Sequence, residues 1–153
     1  MEIDHLSHDE QNILYALPFH IAIWIASADG HVEEAEIKRA VSVINLQSGK
    51  TASKSLSEFY NKVSEDLEDK IKILLHNSPR SEHERTTYHS KKIVDANPVL
   101  KKLDRQFIIN LHNSLRELAR QVAKASGGLL GYGSIGAEES RLIDLNLIEI
   151  PVN

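Results

Sequence analysis

Residues 26–41 read ASADGHVEEAEIKRAV, and the way this stretch divides decides the fold. An apolar run ends at Ala28. Asp29-Gly30 then breaks it, because glycine reaches positive φ without steric cost and opens a turn. Glu33, Glu34 and Glu36 follow. Carboxylates are favoured in the first turn of a helix, where unpaired N–H groups and the macrodipole stabilise them. Beyond them Ile37, Ala40, Val41 and Ile44 recur at helical spacing. The stretch therefore reads as helix, tight turn, helix.

The same periodicity extends in both directions. Upstream, Ile13, Leu17, Ile21, Trp24, Ile25 and Ala28 mark a helix from about Asp9, with Pro18 set to kink it or to open a new one. Downstream, Ser55 and Glu58 form a capping-box pair. The helix they would open carries Phe59, Val63, Leu67, Ile71, Leu74 and Leu75. Ser81 and Glu84 form a second box. It opens a polar helix to about Ala96, which its few apolar residues place on the outside. Asn97-Pro98 reads as a capping Asn with Pro at the first helical position. The helix after it has the clearest face: Leu100, Leu103, Phe107, Leu111, Leu115, Leu118, Val122 and Ala125. That face suits the central helix of a bundle. SGGLLGYGS (126–134) stops it, and a last helix runs from about Ala137 to Leu145. The tail either extends that helix or lies extended on the core. The expected fold is all-α: one compact domain over residues 1–153, a bundle of six to seven helices, with about eight N-terminal and six C-terminal residues flexible.

Composition narrows the function. The 153-residue chain is 41% hydrophobic and 26% charged, which suits a globular domain with a sizeable core. Its net charge of −4 offers no general attraction to nucleic acid or anionic membrane. No apolar stretch reaches the roughly 18 residues of a membrane span. The acidic start MEIDHLSHDE is not a signal peptide. Cysteine is absent, which excludes disulfides, thiolate metal sites and a cysteine nucleophile. A cytoplasmic location is expected.

The opening turn has an echo. Gly30, Val32 and Glu36 in ADGHVEEAE align with Gly133, Ile135 and Glu139 in GYGSIGAEE, at a constant offset. Each β-branched residue precedes the helix cap, where a hydrophobic staple sits. Asp29 has Tyr132 as its counterpart. ASADGHVEEAEIKRAV resembles the helix–turn–helix signature of the TerB-like family, and GYGSIGAEESRLID resembles that family's second copy of it. The resemblance covers roughly the first third of the chain and the last sixth. It implies a compact all-α, non-catalytic bacterial domain linked to tellurite resistance and stress, or to co-chaperones, with an acidic surface that holds divalent cations.

Two readings of the acidic turns compete. In one, Asp29, Glu33 and Glu36, joined by Glu138 and Glu139 from the echo and by His31, bind a hard cation such as Ca²⁺ or Mg²⁺ through oxygen. In the other the same carboxylates only start helices, and the domain is a module for a protein partner. The other histidines give less. His5 and His8 are spaced for a shared helix face, but a solvated terminus accounts for them. His20 reads as a core or boundary residue. His83 and His89 are too far apart for the zinc-protease pattern. The glycine-rich 127–136 segment follows a helix, not a strand, so it is no phosphate loop. No nucleophile–base set is visible, leaving a cross-helix carboxylate site as the only enzymatic alternative. A helix-turn-helix reader of nucleic acid is disfavoured because the candidate helix, RQFIINLHNSLREL, keeps a clean apolar face.

Overall fold

A computed structural model describes residues 2–28, 32–50, 53–131, 142 and 144–150, with only the backbone described for 126–131. Among these the chain is all-α: α1 (His8–Ala28), α2 (Glu34–Gly49), α3 (Lys54–Val63), α4 (Leu67–Asn77), α5 (Glu82–Asp95), the single turn α6 (Asn97–Leu100) and α7 (Arg105–Gly131). No described helix is long and apolar enough to cross a membrane.

The central element is α1, not the long C-terminal helix. Every residue from Leu17 to Ser27 is buried. A helix apolar all round belongs inside, and α1 packs against α5, α7, α2, α3 and α6. It runs unbroken through Pro18. A reciprocal box starts it: the Ser7 N–H donates to the Glu10 carboxylate (3.1 Å) and the Glu10 N–H to Ser7 Oγ (3.2 Å). In contrast, α7 buries one stripe, from Phe107 through Leu111, Leu115 and Leu118 to Val122. Phe59 ties three helices together, with Tyr15 at 5.6 Å and Phe107 at 6.2 Å between ring centroids.

Two expected helices are each split. The run from residue 55 to 75 breaks at Ser64–Asp66, where Asp66 takes a left-handed conformation (φ 51°). Asp tolerates that conformation better than most residues. The helix cap there is Ser53, which accepts from the Leu56 N–H, instead of Ser55. The second split parts α6 from α7 at residues 101–104. The Asp104 carboxylate caps α7 by accepting from the Gln106 and Phe107 N–H groups. Ser81 caps α5 as its sequence predicts, accepting from the Glu84 N–H.

Asn97 does other work than capping. Its amide donates to the Leu147 carbonyl (2.8 Å) and accepts from the Glu149 N–H (2.9 Å). These bonds hold residues 144–150 along the core as turns, with Leu145 and Ile148 buried. Of the last helix expected from the sequence, most lies outside the described residues. Leu142 is helical and the chain is non-helical from Asp144 onward. At the other end Ile3 and Leu6 are buried, and the segment is tied to the α6–α7 turn through the Glu2 carboxylate, which accepts the Asp104 N–H.

The polar helix α5 lies on the outside, as its composition predicts, with His89 and Ile93 its buried residues. It lies along α1 over a seam that carries two polar contacts beside the fully buried Ile93. Arg85 Nε donates to Ser27 Oγ (2.8 Å), and His89 pairs with His20. Periodicity of apolar residues registers little of such a seam, because of the two buried positions on α5 only Ile93 is apolar and His89 is a partnered polar group.

Candidate functional site

The start of α2 carries the part of the predicted acidic site that can be placed. Glu33 is the N-cap, with extended backbone, and its carbonyl accepts from the Glu36 and Ile37 N–H groups. Its exposed side chain makes no capping bond. Glu36 stands in the first turn, as expected. Val32 packs against the core just before the cap, in staple position, and Ile37 is fully buried. Asp29, His31, Glu138 and Glu139 lie outside the described residues. Glu36 lines a shallow cleft of about 280 Å³ with Arg39 of its own helix and Gln121 and Lys124 of α7. Two cations in that cleft offset the glutamate and oppose a divalent ion there. Glu33, unpaired among the described residues, fits an oxygen ligand. Among those residues no three His, Asp or Glu side chains converge on one point.

The most unusual chemistry lies on the α1–α5 seam, away from the acidic turn. His20 Nδ1 and His89 Nδ1 are 2.9 Å apart. His20 is 7% exposed and His89 fully buried. On the other side of its ring, His89 Nε2 is 2.7 Å from Ser78 Oγ, just past the end of α4. Ser78 Oγ also donates to the Leu74 carbonyl (2.7 Å), while the Ser78 N–H turns to Leu75. Leu74 thus has one of the orphan carbonyls of a helix C-terminus, and the hydroxyl satisfies it.

These contacts fix the protons. A hydroxyl has one hydrogen, and a carbonyl only accepts. The Ser78 hydrogen goes to Leu74, so His89 Nε2–H donates to Ser78 Oγ. His89 Nδ1 is then bare and accepts from His20 Nδ1–H. His20 Nε2 is left as a lone pair. It has no hydrogen-bond partner among the described residues and is not sealed from solvent. The reverse direction would put the Ser78 and Leu74 oxygens 2.7 Å apart with no hydrogen between them.

Burial pushes both imidazoles toward the neutral form that this chain requires. Desolvation, helped by the Lys92 charge, lowers His20 to about 4. Desolvation, with His20, Arg85 and Lys92 adding to it, lowers His89 to about 3. His20 opens into a cleft of about 280 Å³ lined by Asn12, Ile13 and Ala16 of α1 and by Lys92 and Asp95 of α5. Lys92 also lies over the Tyr88 ring, 5.5 Å from its centroid.

Sequence reasoning left His20 in the core and found nothing for His89. A signal existed. His20 is the only polar residue between Leu17 and Ala26, and His89 falls one turn before Ile93, on the buried stripe of α5. His5, by contrast, is engaged elsewhere, its Nε2 donating to the Lys102 carbonyl (3.1 Å), and does not join His8. Comparison with models of known families, with curated proteins and with solved structures gives no match.

Proposed function

We propose that the chain is a non-catalytic, TerB-like binding domain of the bacterial cytoplasm, serving tellurite or metal stress by docking a protein partner. One observation supports docking above all. An apolar groove of about 230 Å³ runs between α1 and α4, lined by Tyr15, Ala16, Phe19, Ile73 and Leu74, with Asn12 and Lys70 at its edge. Ile73 stands 60% exposed beside it. Helix-flanked apolar grooves accept the apolar stripe of a partner helix. The occupant assigned is an amphipathic helix of another protein. A photo-crosslinker at position 73 should trap one defined partner. Tyr15→Glu should abolish trapping, and Glu33→Gln with Glu36→Gln should leave it intact. Equal trapping from exposed Lys91 would overturn the assignment.

A second reading rests on the side chain of Glu33, which makes no capping bond. In it Asp29, Glu33 and Glu36, joined by His31, Glu138 and Glu139, hold a hard divalent cation. Calorimetry with Ca²⁺, Mg²⁺, Mn²⁺ and Zn²⁺ should show heat that Glu33→Gln removes. No heat, together with an unchanged melting temperature in excess metal, eliminates this reading.

A further inference from the structure

We propose that the cleft between α1 and α5 is a binding site for a small oxyanion that carries a proton, a phosphate or phosphate monoester, seated between His20 Nε2 and the Lys92 ammonium.

The argument starts from the hydrogen inventory of the relay. Leu74, Ser78 and His89 together dictate that His20 presents an acceptor, not a donor, to the cleft. A ligand must therefore bring a hydrogen to that nitrogen. Lys92, on the same cleft wall and close enough to act on both imidazoles, brings only donors. One group that answers both demands is an oxyanion with one protonated oxygen: its P–OH donates to His20 Nε2 and a P–O⁻ accepts from Lys92. Sulfate has the same size and shape but no hydrogen at neutral pH. It would set an oxygen lone pair against the imidazole lone pair, and an unmatched buried acceptor costs on the order of ten- to a hundredfold in affinity.

The outer end of the cleft extends the argument. The chain directions of α1 and α5 oppose one another, since Ser27 meets Arg85 and His20 meets His89. Asn12 and Asp95 therefore lie farther along the cleft from His20, beyond Lys92. A carboxylate at that point disfavours a bare dianion and favours an ester whose substituent bears a cation. The preferred class is the phosphate monoester of an amino alcohol, with phosphate at His20 and Lys92 and ammonium at Asp95. The cleft shares Asn12 and Ala16 with the partner groove, but His20 and Lys92, which hold the ligand, line neither the groove nor the acidic turn, so failure of phosphate binding and failure of partner trapping are read separately.

The test is ³¹P and ¹⁵N NMR of the full chain at pH 6, where a phosphate monoester is about half monoanion, with inorganic phosphate, O-phosphoethanolamine and sulfate as probes. Without ligand, the His20 ring should show a protonated Nδ1 and a bare Nε2. O-phosphoethanolamine should bind more tightly than phosphate, and phosphate at least about tenfold more tightly than sulfate. Lys92→Ala, an exposed change that spares the fold, should weaken phosphate about tenfold or more. Ser78→Ala removes the group that sets the direction of the relay. It should narrow the phosphate-to-sulfate ratio, because His20 is then free to present an N–H. A protonated Nε2 in the free protein, equal binding of sulfate, or no shift of His20 with any probe would each overturn the proposal.

Discussion

Lowering the pH from 7 toward 4 should destabilise this chain through two side chains, His20 and His89. In the unfolded chain each imidazole has the ordinary value of 6.5; in the folded chain they stand at about 4 and about 3. Both folded values are depressed, so between pH 6.5 and 4 the unfolded state binds more protons and stability falls as pH falls. Their contribution is complete above pH 6.5. Near pH 5 each imidazole is mostly protonated when unfolded and mostly bare when folded. Each adds a slope of about 1.4 kcal/mol per pH unit, so the pair adds up to about 2.7. Across pH 6 to 4.5 the loss is about 2–4 kcal/mol, a large share of the 5–15 kcal/mol typical of a domain. Half-buried His112, also depressed by burial, adds in the same direction. Glu10 and Glu68, lowered by their bonds to Lys102 and Lys72, act in the same direction, their contribution fading as the pH falls through the ordinary carboxylate range. Urea unfolding at half-unit pH steps, with proton uptake by potentiometry, measures the slope. The double variant His20→Leu, His89→Leu exchanges a bonded polar pair for apolar groups, which is often tolerated, and should lose one to two protons of uptake. A wild-type slope no steeper than that of the double variant would refute the reasoning.

Three further outcomes follow from single contacts. Asn97→Ala, which removes both bonds to the tail, should cost about 1–3 kcal/mol by urea midpoint and accelerate amide exchange at Leu145 and Ile148. Asp104→Ala, which uncaps α7, should cost about 1 kcal/mol by the same measurement, with Asp104→Asn recovering most of it. Asp66→Val should cost about 1–2 kcal/mol in thermal unfolding because its φ of 51° crowds a β-branched side chain, whereas Asp66→Gly should be neutral or stabilising.

What the sequence disclosed and what it concealed divide along one physical line. Apolar periodicity located the buried faces of α2 and α7, and Glu33 to Glu36 mark the start of α2, because each of these depends on residues within a few turns of one another; on α1, buried all round from Leu17 to Ser27, the expected stripe begins at exposed Ile13 and ends at exposed Ala28. The break points did not follow from periodicity. Leu67 and Leu103 continue the stripes of their neighbours in register, while the chain itself turns at Asp66 and Asp104. Ser55 and Asn97 had the composition of caps, yet Ser53 caps α3, and Asn97 is claimed by a tail 50 residues away. Of the acidic site, Glu33 and Glu36 stand at a helix start as predicted; the cations of Arg39 and Lys124 beside Glu36 come partly from α7 and are invisible in local spacing.

The α1–α5 seam is the extreme case, because its polar contacts join residues 58 and 69 positions apart. Along α1 the two contact residues, His20 and Ser27, are seven apart, or about 10.5 Å; along α5 their partners, His89 and Arg85, are four apart, or about 6 Å. The long arginine side chain spans the difference. Sliding α5 by one turn would part the two buried imidazoles, each then carrying a desolvation penalty, while the Ser27 hydroxyl would keep its bond to the Ile23 carbonyl and lose only Arg85. An all-leucine seam would tolerate such a slide. The polar contacts that a hydrophobicity reading of α5 does not see therefore set its register on α1, and that register brings His89 to His20 beside the cleft.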